Sequence, residues 1–246
     1  DCPCYSLYSK TFPDPHNYTF FFDKMHAERF HGIYPNANIY YLPAACDETQ
    51  YDNLCITEKE YKGYHSDVCF VGSLYTEKGT HETITKSLPP YLKGYVDGII
   101  NAQLNVYGYN FMEDSLTEEF INNFKKQMNW QLPPDYIDNA KSIIADYYFG
   151  YRATMLDRIN TLREVSEHFN TDLYTTSNTN MLPAIHNKGI ADTLTMLPKI
   201  YHCSKINLEI TSKTFKSGMT QRLFDIMASG GFVISNFQAE IPDFFI

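Results

Sequence analysis

The stretch from Ile206 to Ser235 constrains the fold more than any other. Ile206-Asn207-Leu208-Glu209-Ile210 alternates apolar and polar residues with the strand period, Met219 to Ala228 follows as a helix, and Phe232-Val233-Ile234-Ser235 is the next strand. Strand, helix, strand in so short a span calls for parallel pairing through a right-handed crossover, with helices covering the sheet.

The same alternation recurs upstream. Tyr18-Thr19-Phe20-Phe21-Phe22 and Asn38-Ile39-Tyr40-Tyr41-Leu42 flank a short helical stretch from Lys24 to Phe30. Val68-Cys69-Phe70-Val71 is an apolar run that enters Gly72-Ser73, and Asp172-Leu173-Tyr174-Thr175 is a further strand after a helix. That helix, Arg152 to Phe169, carries Met155, Leu156, Ile159, Leu162 and Val165 at spacings of three and four. A short helix near Pro198-Lys199-Ile200-Tyr201 precedes the alternating strand. The pattern predicts a doubly wound α/β chain. Residues 1–47 form a first, partial unit, and the polar residues 48–66 read as a linker. Residues 67–246 form the main parallel-sheet domain, with a helical insertion at about 80–150 broken at Pro89-Pro90 and Pro133-Pro134. The chain opens on Asp1 and stops on Phe244-Phe245-Ile246, so both ends are expected to be cut from a longer protein.

Composition narrows the partners. Twenty-nine acidic against 20 basic residues leave a formal charge of −9 and a pI near 5.3. That balance disfavours binding to nucleic acid or to anionic membranes, both of which need clustered Lys and Arg. With 43% apolar and 20% charged residues, the chain can bury a core. The aromatic loading, 20 Tyr and 17 Phe, fits a sugar- or peptide-facing surface but reads more simply as the product of an AT-rich genome. Cys2, Cys4, Cys46, Cys55, Cys69 and Cys203 contain no C-x-x-C pair; Cys2 and Cys4 form a weak C-x-C, and Cys69 reads as a buried strand thiol. No signal peptide opens the chain, and no apolar run reaches the ~18 residues of a membrane span. A reduced, cytoplasmic protein is expected, in which the sequon Asn17-Tyr18-Thr19 is chance.

Parallel sheets hold ligands where strands end and helices begin. Three such junctions are rich here. Gly72-Ser73 and Lys78 follow the first strand of the main domain: a glycine lets backbone N–H groups approach an anion, and a lysine adds a point charge. Lys213, Lys216, Ser217, Gly218 and Arg222 gather after the alternating strand, around a helix N-terminus. Ala228-Ser229-Gly230-Gly231 closes that helix. Each also has a plain structural reading as a turn, a solvated face or a helix stop. No nucleophile–base pair and no Walker or G-x-G-x-x-G motif accompanies them.

The segments Lys205 to Thr211 and Lys216-Ser217-Gly218-Met219-Thr220-Gln221-Arg222-Leu223-Phe224-Asp225 through Ser235 resemble the donor-site region of the spore-maturation-type (CgeB-like) glycosyltransferases, a branch of the two-Rossmann-domain GT-B architecture. Leu7 to Thr11, Phe22-Asp23-Lys24, Tyr41-Leu42-Pro43, Phe70 to Tyr75 and Met196 to Tyr201 extend the resemblance along the chain. It implies that residues 1–47 are a remnant of the acceptor-side domain and that 67–246 bind a nucleotide sugar. Many retaining enzymes of this architecture carry two glutamates eight positions apart; here Ser217 and Asp225 stand in those places. Asp225 would then grip the ribose hydroxyls, and the charge of the first acid is lost. Gly72, Ser73, Lys78, Lys213, Lys216, Ser217, Gly218, Arg222, Asp225 and Gly230 are the implied donor-binding residues, with Arg222–Asp225 otherwise readable as a surface ion pair. No metal and no cofactor are implied beyond the nucleotide-sugar substrate. The acceptor, whether glycan, protein or small molecule, is open, as is the catalytic residue; Asp1, His16 and Asp23 are the titratable candidates for a base. A GT-B-like binding or scaffold module in a spore or surface assembly is the alternative, and a sugar-nucleotide epimerase is a third reading.

Overall fold

A computed structural model describes residues 9–78, 85–127 and 140–245. Asp1, the Cys2–Cys4 pair, Leu7-Tyr8 and Pro133-Pro134 lie outside the described residues.

The first unit is a parallel strand pair, β1 (Tyr18–Phe21) and β2 (Asn38–Tyr41), joined by the helix Lys24–Ile33. Phe12, Phe21, Phe30 and Ile39 form its core, with Phe21 and Phe30 stacked at 5.4 Å. The main unit is a five-stranded parallel sheet in the order β5-β4-β3-β6-β7, comprising β3 (Val68–Val71), β4 (Thr171–Tyr174), β5 (His186–Asn187), β6 (Ile206–Glu209) and β7 (Val233–Ser235). Chain order runs outward from β3 on one side and from β6 on the other, so the winding reverses between these two strands. Phe70, Leu74, Leu162, Leu173 and Leu208 make the core between this sheet and the long helix Tyr151–His168.

The expected strict alternation in β6 does not translate into alternating burial, because Asn207, Leu208 and Glu209 are all buried. A central parallel strand is covered on both faces, and its polar residues survive there because they are bonded. Asn207 Nδ2 donates to the carbonyls of Tyr201 (2.9 Å) and Phe232 (3.2 Å), and Glu209 meets Arg222.

Residues 48–66, expected as a linker, carry the helix Glu58–Tyr64, which packs against the helix Leu197–Cys203. Its start is a capping box. Glu60 N–H donates to Thr57 Oγ1 (3.2 Å), and the Glu60 carboxylate accepts from Thr57 N–H (2.9 Å). Lys199 on the neighbouring helix pairs with the same carboxylate and holds its pKa down to about 2.

The insertion has its own core. The helices Pro90–Leu104 and Glu118–Gln127 pack Val96, Ile100, Phe120 and Phe124 against Phe149. Pro90 stands in the first turn, where its missing N–H is not needed. The chain returns through Ala140–Ile143 and a π-helical turn, Ile144–Gly150, into Tyr151–His168. Gly150 is fitted against the loop after β6: a Cβ there would lie 2.2 Å from Thr214 Cγ2.

Candidate functional site

The carboxyl ends of β3 and β6 splay apart where the winding reverses, the position at which open parallel sheets bind ligands. A cavity of about 430 Å³ occupies it. Gly72, Ser73, Tyr75 and Lys78 line it from the β3 side, Arg158 from the long helix, and Ser212, Phe215 and Arg222 from the β6 side. Phe22 and Ala44 of the first unit close its rim, with the Phe22 and Phe215 rings 5.2 Å apart.

Gly72 is required here. Its φ is +152°, and a Cβ would come within 3.1 Å of Arg222 Nη2. Tyr75, three residues further, takes φ +65°, a left-handed conformation that costs a non-glycine residue energy. Its amide is held by Ser73 Oγ at 2.8 Å, and the Ser73 hydroxyl in turn donates to Glu77. Glu77 also accepts from Ser177 Oγ at 2.8 Å. The turn is therefore fixed by its own polar side chains, and Tyr75 places its ring 3.9 Å under Lys78 Nζ.

A buried arginine, Arg158, and a half-buried one, Arg222, define the electrostatics. Arg222 Nη1 is paired with Glu209 Oε2 at 2.8 Å. Burial works against the Arg222 charge, but the Glu209 carboxylate outweighs it and the pKa lies above its ordinary value. Arg158 is 4% exposed and donates only to carbonyl oxygens: Nε and Nη2 to Ile210 (3.1 and 2.8 Å) and Nη1 to Ser73 (2.6 Å). Among the described residues no carboxylate lies within ion-pair distance of it. Burial and the neighbouring Arg222 push its pKa down to about 10, so it stays charged at neutral pH. The cavity floor thus carries an arginine with, among the described residues, no carboxylate counterion in contact, beside a second arginine and Lys78. A buried charge left without one is costly. An anion in the cavity would relieve that cost.

Of the predicted donor-binding residues, Gly72, Ser73, Lys78 and Arg222 come together on this cavity. The others do not line it. Lys213 is turned away, 3.4 Å from Asp157 and 3.5 Å over the Tyr107 ring. Lys216 points between Glu113 (3.7 Å) and Asp146 (3.8 Å) of the insertion. The backbone amides of Lys216, Ser217 and Gly218 do form an anion-binding concavity, but it holds the Asp23 carboxylate. Asp23 Oδ2 accepts from all three N–H groups at 2.7, 3.0 and 3.1 Å. Gly218 is fitted to this contact, since a Cβ would meet Asp23 Cα at 2.7 Å. Ser217 Oγ lies 3.1 Å from Asp23 Oδ1 and 2.6 Å from Glu240 Oε1, so both acids draw on this hydroxyl.

Asp225 sits one helical turn beyond Gln221 and accepts from Tyr51 OH (3.0 Å) and Gln221 Nε2 (2.9 Å) rather than from Arg222. Gly230, φ +73°, ends the helix Gln221–Ala228 near His202, away from the cavity lining. Neither described base candidate faces the cavity. His16 is exposed and turned to Asp14, while Asp23 is fully buried and its pKa is lowered, as the charge of His26 and its N–H bonds overcome the burial that would raise it.

Arg158 escaped sequence reasoning, although a signal existed. It lies three residues after Met155 and four before Leu162, inside the apolar stripe of its helix, where a charge needs a reason. Among the described residues no cluster of three or more His, Cys, Asp or Glu is arranged to hold a metal ion, and no helix is long and apolar enough to cross a membrane.

Residues 154–246, from the long helix through the junction after β6 to the end of the chain but not the junction after β3, match a family model described as glycosyl transferase-like. No curated protein and no solved structure matches the chain. The matched segment contains Arg158, Glu209, Arg222 and Asp225. With the parallel sheet and its helices, the match supports a Rossmann-like GT-B glycosyltransferase fold and glycosyl transfer as the class of chemistry.

Proposed function

We propose that this chain binds a nucleotide-diphosphate sugar in the cavity between β3 and β6 and serves a metal-independent, cytoplasmic glycosyltransferase of the spore-maturation (CgeB-like) type. The observation that carries this reading is the buried Arg158 guanidinium, bonded to carbonyls and in contact with no carboxylate among the described residues, beside Arg222 and Lys78. In glycosyl transfer the bond from the sugar's anomeric carbon to the diphosphate breaks, and the electron pair leaves with the phosphate. The acceptor hydroxyl forms the new bond and gives its proton to a base. The leaving group gains negative charge as the sugar becomes oxocarbenium-like. Preorganised cations stabilise that charge without rearrangement, and Arg158, Arg222 and Lys78 are of the right kind and on the same cavity. Gly72 and Ser73 bring backbone close to the phosphates. The acceptor is a glycan, protein or small molecule, and its base belongs to residues other than Asp23 and His16.

Calorimetric titration with UDP, GDP, CDP, ADP and TDP tests the reading. One of them should bind selectively, and Arg158→Met should weaken it by roughly a hundredfold, the loss of a charge-assisted bond to phosphate in a desolvated site. Equal binding by Arg158→Met removes the cavity from the donor site. A second reading is favoured by one observation: the amides of residues 216–218 are filled by Asp23, and Ser217 contributes no charge. On that reading the chain is a non-catalytic binding module, and the full-length protein would bind the nucleotide sugar without transferring or hydrolysing it. An epimerase would instead release product with no acceptor present.

A further inference from the structure

We infer, resting on the donor-site reading above, that Tyr75 is a positioning residue for the leaving diphosphate: its ring holds the Lys78 ammonium in place at the cavity, beside Arg158. Three cations line the cavity, and two aromatic rings are shared among them. Lys78 Nζ lies 3.9 Å from the centre of the Tyr75 ring, and the guanidinium carbon of Arg158 lies 4.7 Å from the same centre. Arg158 and Arg222 share the Phe70 ring in the same way, at 5.4 and 5.5 Å. Tyr151, at the start of the long helix, packs edge-on against Tyr75 at 5.2 Å and has Lys78 Nζ 4.7 Å over its own ring. Like charges gathered in one cleft repel. A ring face attracts each of them and, unlike a carboxylate, adds no net negative charge to compete with an anionic ligand.

The two cations over Tyr75 depend on it to different degrees. Arg158 is already anchored by three hydrogen bonds to the carbonyls of Ile210 and Ser73. The Lys78 ammonium ends a flexible four-carbon stem, so a ring beneath it decides more of where the charge stands. Backbone strain marks the same residue. Tyr75 lines the cavity at φ +65°, a conformation that glycine takes freely, and the hydrogen bonds of Ser73, Glu77 and Ser177 keep the turn there. What glycine lacks is the ring.

The test is calorimetry with inorganic pyrophosphate in metal-free buffer, which presents the charge of the leaving group without a nucleoside. It is run on the full chain and on Tyr75→Phe, Tyr75→Leu, Lys78→Met and the Tyr75→Leu/Lys78→Met double variant. Leucine carries the same backbone strain as tyrosine, so the comparison removes the ring and keeps the turn. Tyr75→Leu should bind about tenfold more weakly, the preorganisation that one desolvated cation–π contact supplies. Tyr75→Phe restores the ring and should bind within about twofold of wild type. In the Lys78→Met background Tyr75→Leu should cost no more than about twofold, because the ammonium it positions is gone. A loss in Tyr75→Phe equal to that in Tyr75→Leu overturns the inference by placing the role in the hydroxyl. A tenfold loss that persists without Lys78 also overturns it, since the ring would then act through the fold alone, and so does unchanged binding by Tyr75→Leu. Should Tyr75→Leu not unfold cooperatively in urea, Tyr75→Met carries the same comparison. Wild-type binding of a nucleoside diphosphate but not of pyrophosphate overturns the inference as well. Failure of both to bind a cooperatively folded chain overturns instead the donor-site reading on which it rests.

Discussion

Replacing Asp23 with alanine removes the acceptor that ties the first unit to the loop after β6, and the structure sets the size of the loss. Asp23 is fully buried and accepts from the N–H groups of His26 (3.0 Å), Lys216 (2.7 Å), Ser217 (3.0 Å) and Gly218 (3.1 Å), with Ser217 Oγ at 3.1 Å. The His26 bond is a helix N-cap, worth about 1 kcal/mol. Each of the three loop amides, left buried and unmatched, costs about 1–3 kcal/mol, less where the loop relaxes toward water. Release of a buried carboxylate from its desolvation offsets part of this. The net expectation is a loss of about 4 kcal/mol, a large fraction of the 5–15 kcal/mol that holds a typical domain. Asparagine is the sharper probe. Oδ2 serves the three loop amides while Oδ1 serves His26 and Ser217, so an amide, whichever way it turns, presents N–H groups to one of the two sets. Asp23→Asn should therefore be nearly as damaging as Asp23→Ala. Urea denaturation reads both as a fall in midpoint at constant m-value. The pKa of Asp23 is depressed below its ordinary 3.8, so its contribution is present above that value and is lost as pH falls through the lower folded-state value. The gap between wild type and variant should accordingly close in acid. Asp23→Asn within 1 kcal/mol of wild type would refute the argument, because it would mean that the three short contacts carry no net free energy.

Other expectations follow from the same geometry. His26 and Asp146 titrate in opposition: burial takes His26 down to about 4, so stability is lost as pH falls from its ordinary 6.5 toward 4, while burial raises Asp146 to about 6, so stability is gained as pH falls from 6 toward its ordinary 3.8. Asp146→Asn should thus uncover a steeper acid destabilisation between pH 6 and 4 than wild type shows, measured by denaturation midpoints across that range; a parallel profile would count against it. Gly231→Ala drives a Cβ to 2.7 Å from the Tyr201 carbonyl and 3.1 Å from that of Ile226, both backbone atoms, and should cost about 2 kcal/mol, or several degrees in thermal midpoint. Glu209→Gln leaves the half-buried Arg222 without its counterion and should destabilise by about 2 kcal/mol, with part of that loss recovered when an anion fills the cavity, as a ligand-dependent thermal shift would show.

The elements, their order and the end of the sheet that holds the cleft are legible in the sequence, because they follow from local patterns. Apolar runs of strand length alternating with helical spacing demand a parallel sheet. The small residues Gly72-Ser73 after β3 and the polar loop after β6 mark where its strands open. The capping box at Thr57-Glu60 was legible too, though hidden in a charged run that reads as linker. Which side chains face the cavity was decided only in three dimensions. Lys213, Lys216 and Arg158 are alike as residue types, yet Lys213 and Lys216 turn to carboxylates of the long helix and the insertion, whereas Arg158 turns to two carbonyls and keeps its charge for the cleft. Asp23 reaches its loop across nearly two hundred residues of sequence, and Glu209 is buried because Arg222 comes back to it. Periodicity is a property of neighbours along the chain. The fate of a charge depends on which opposite charge or dipole the fold brings within a few ångströms once water has been removed, and that pairing is settled by tertiary structure alone.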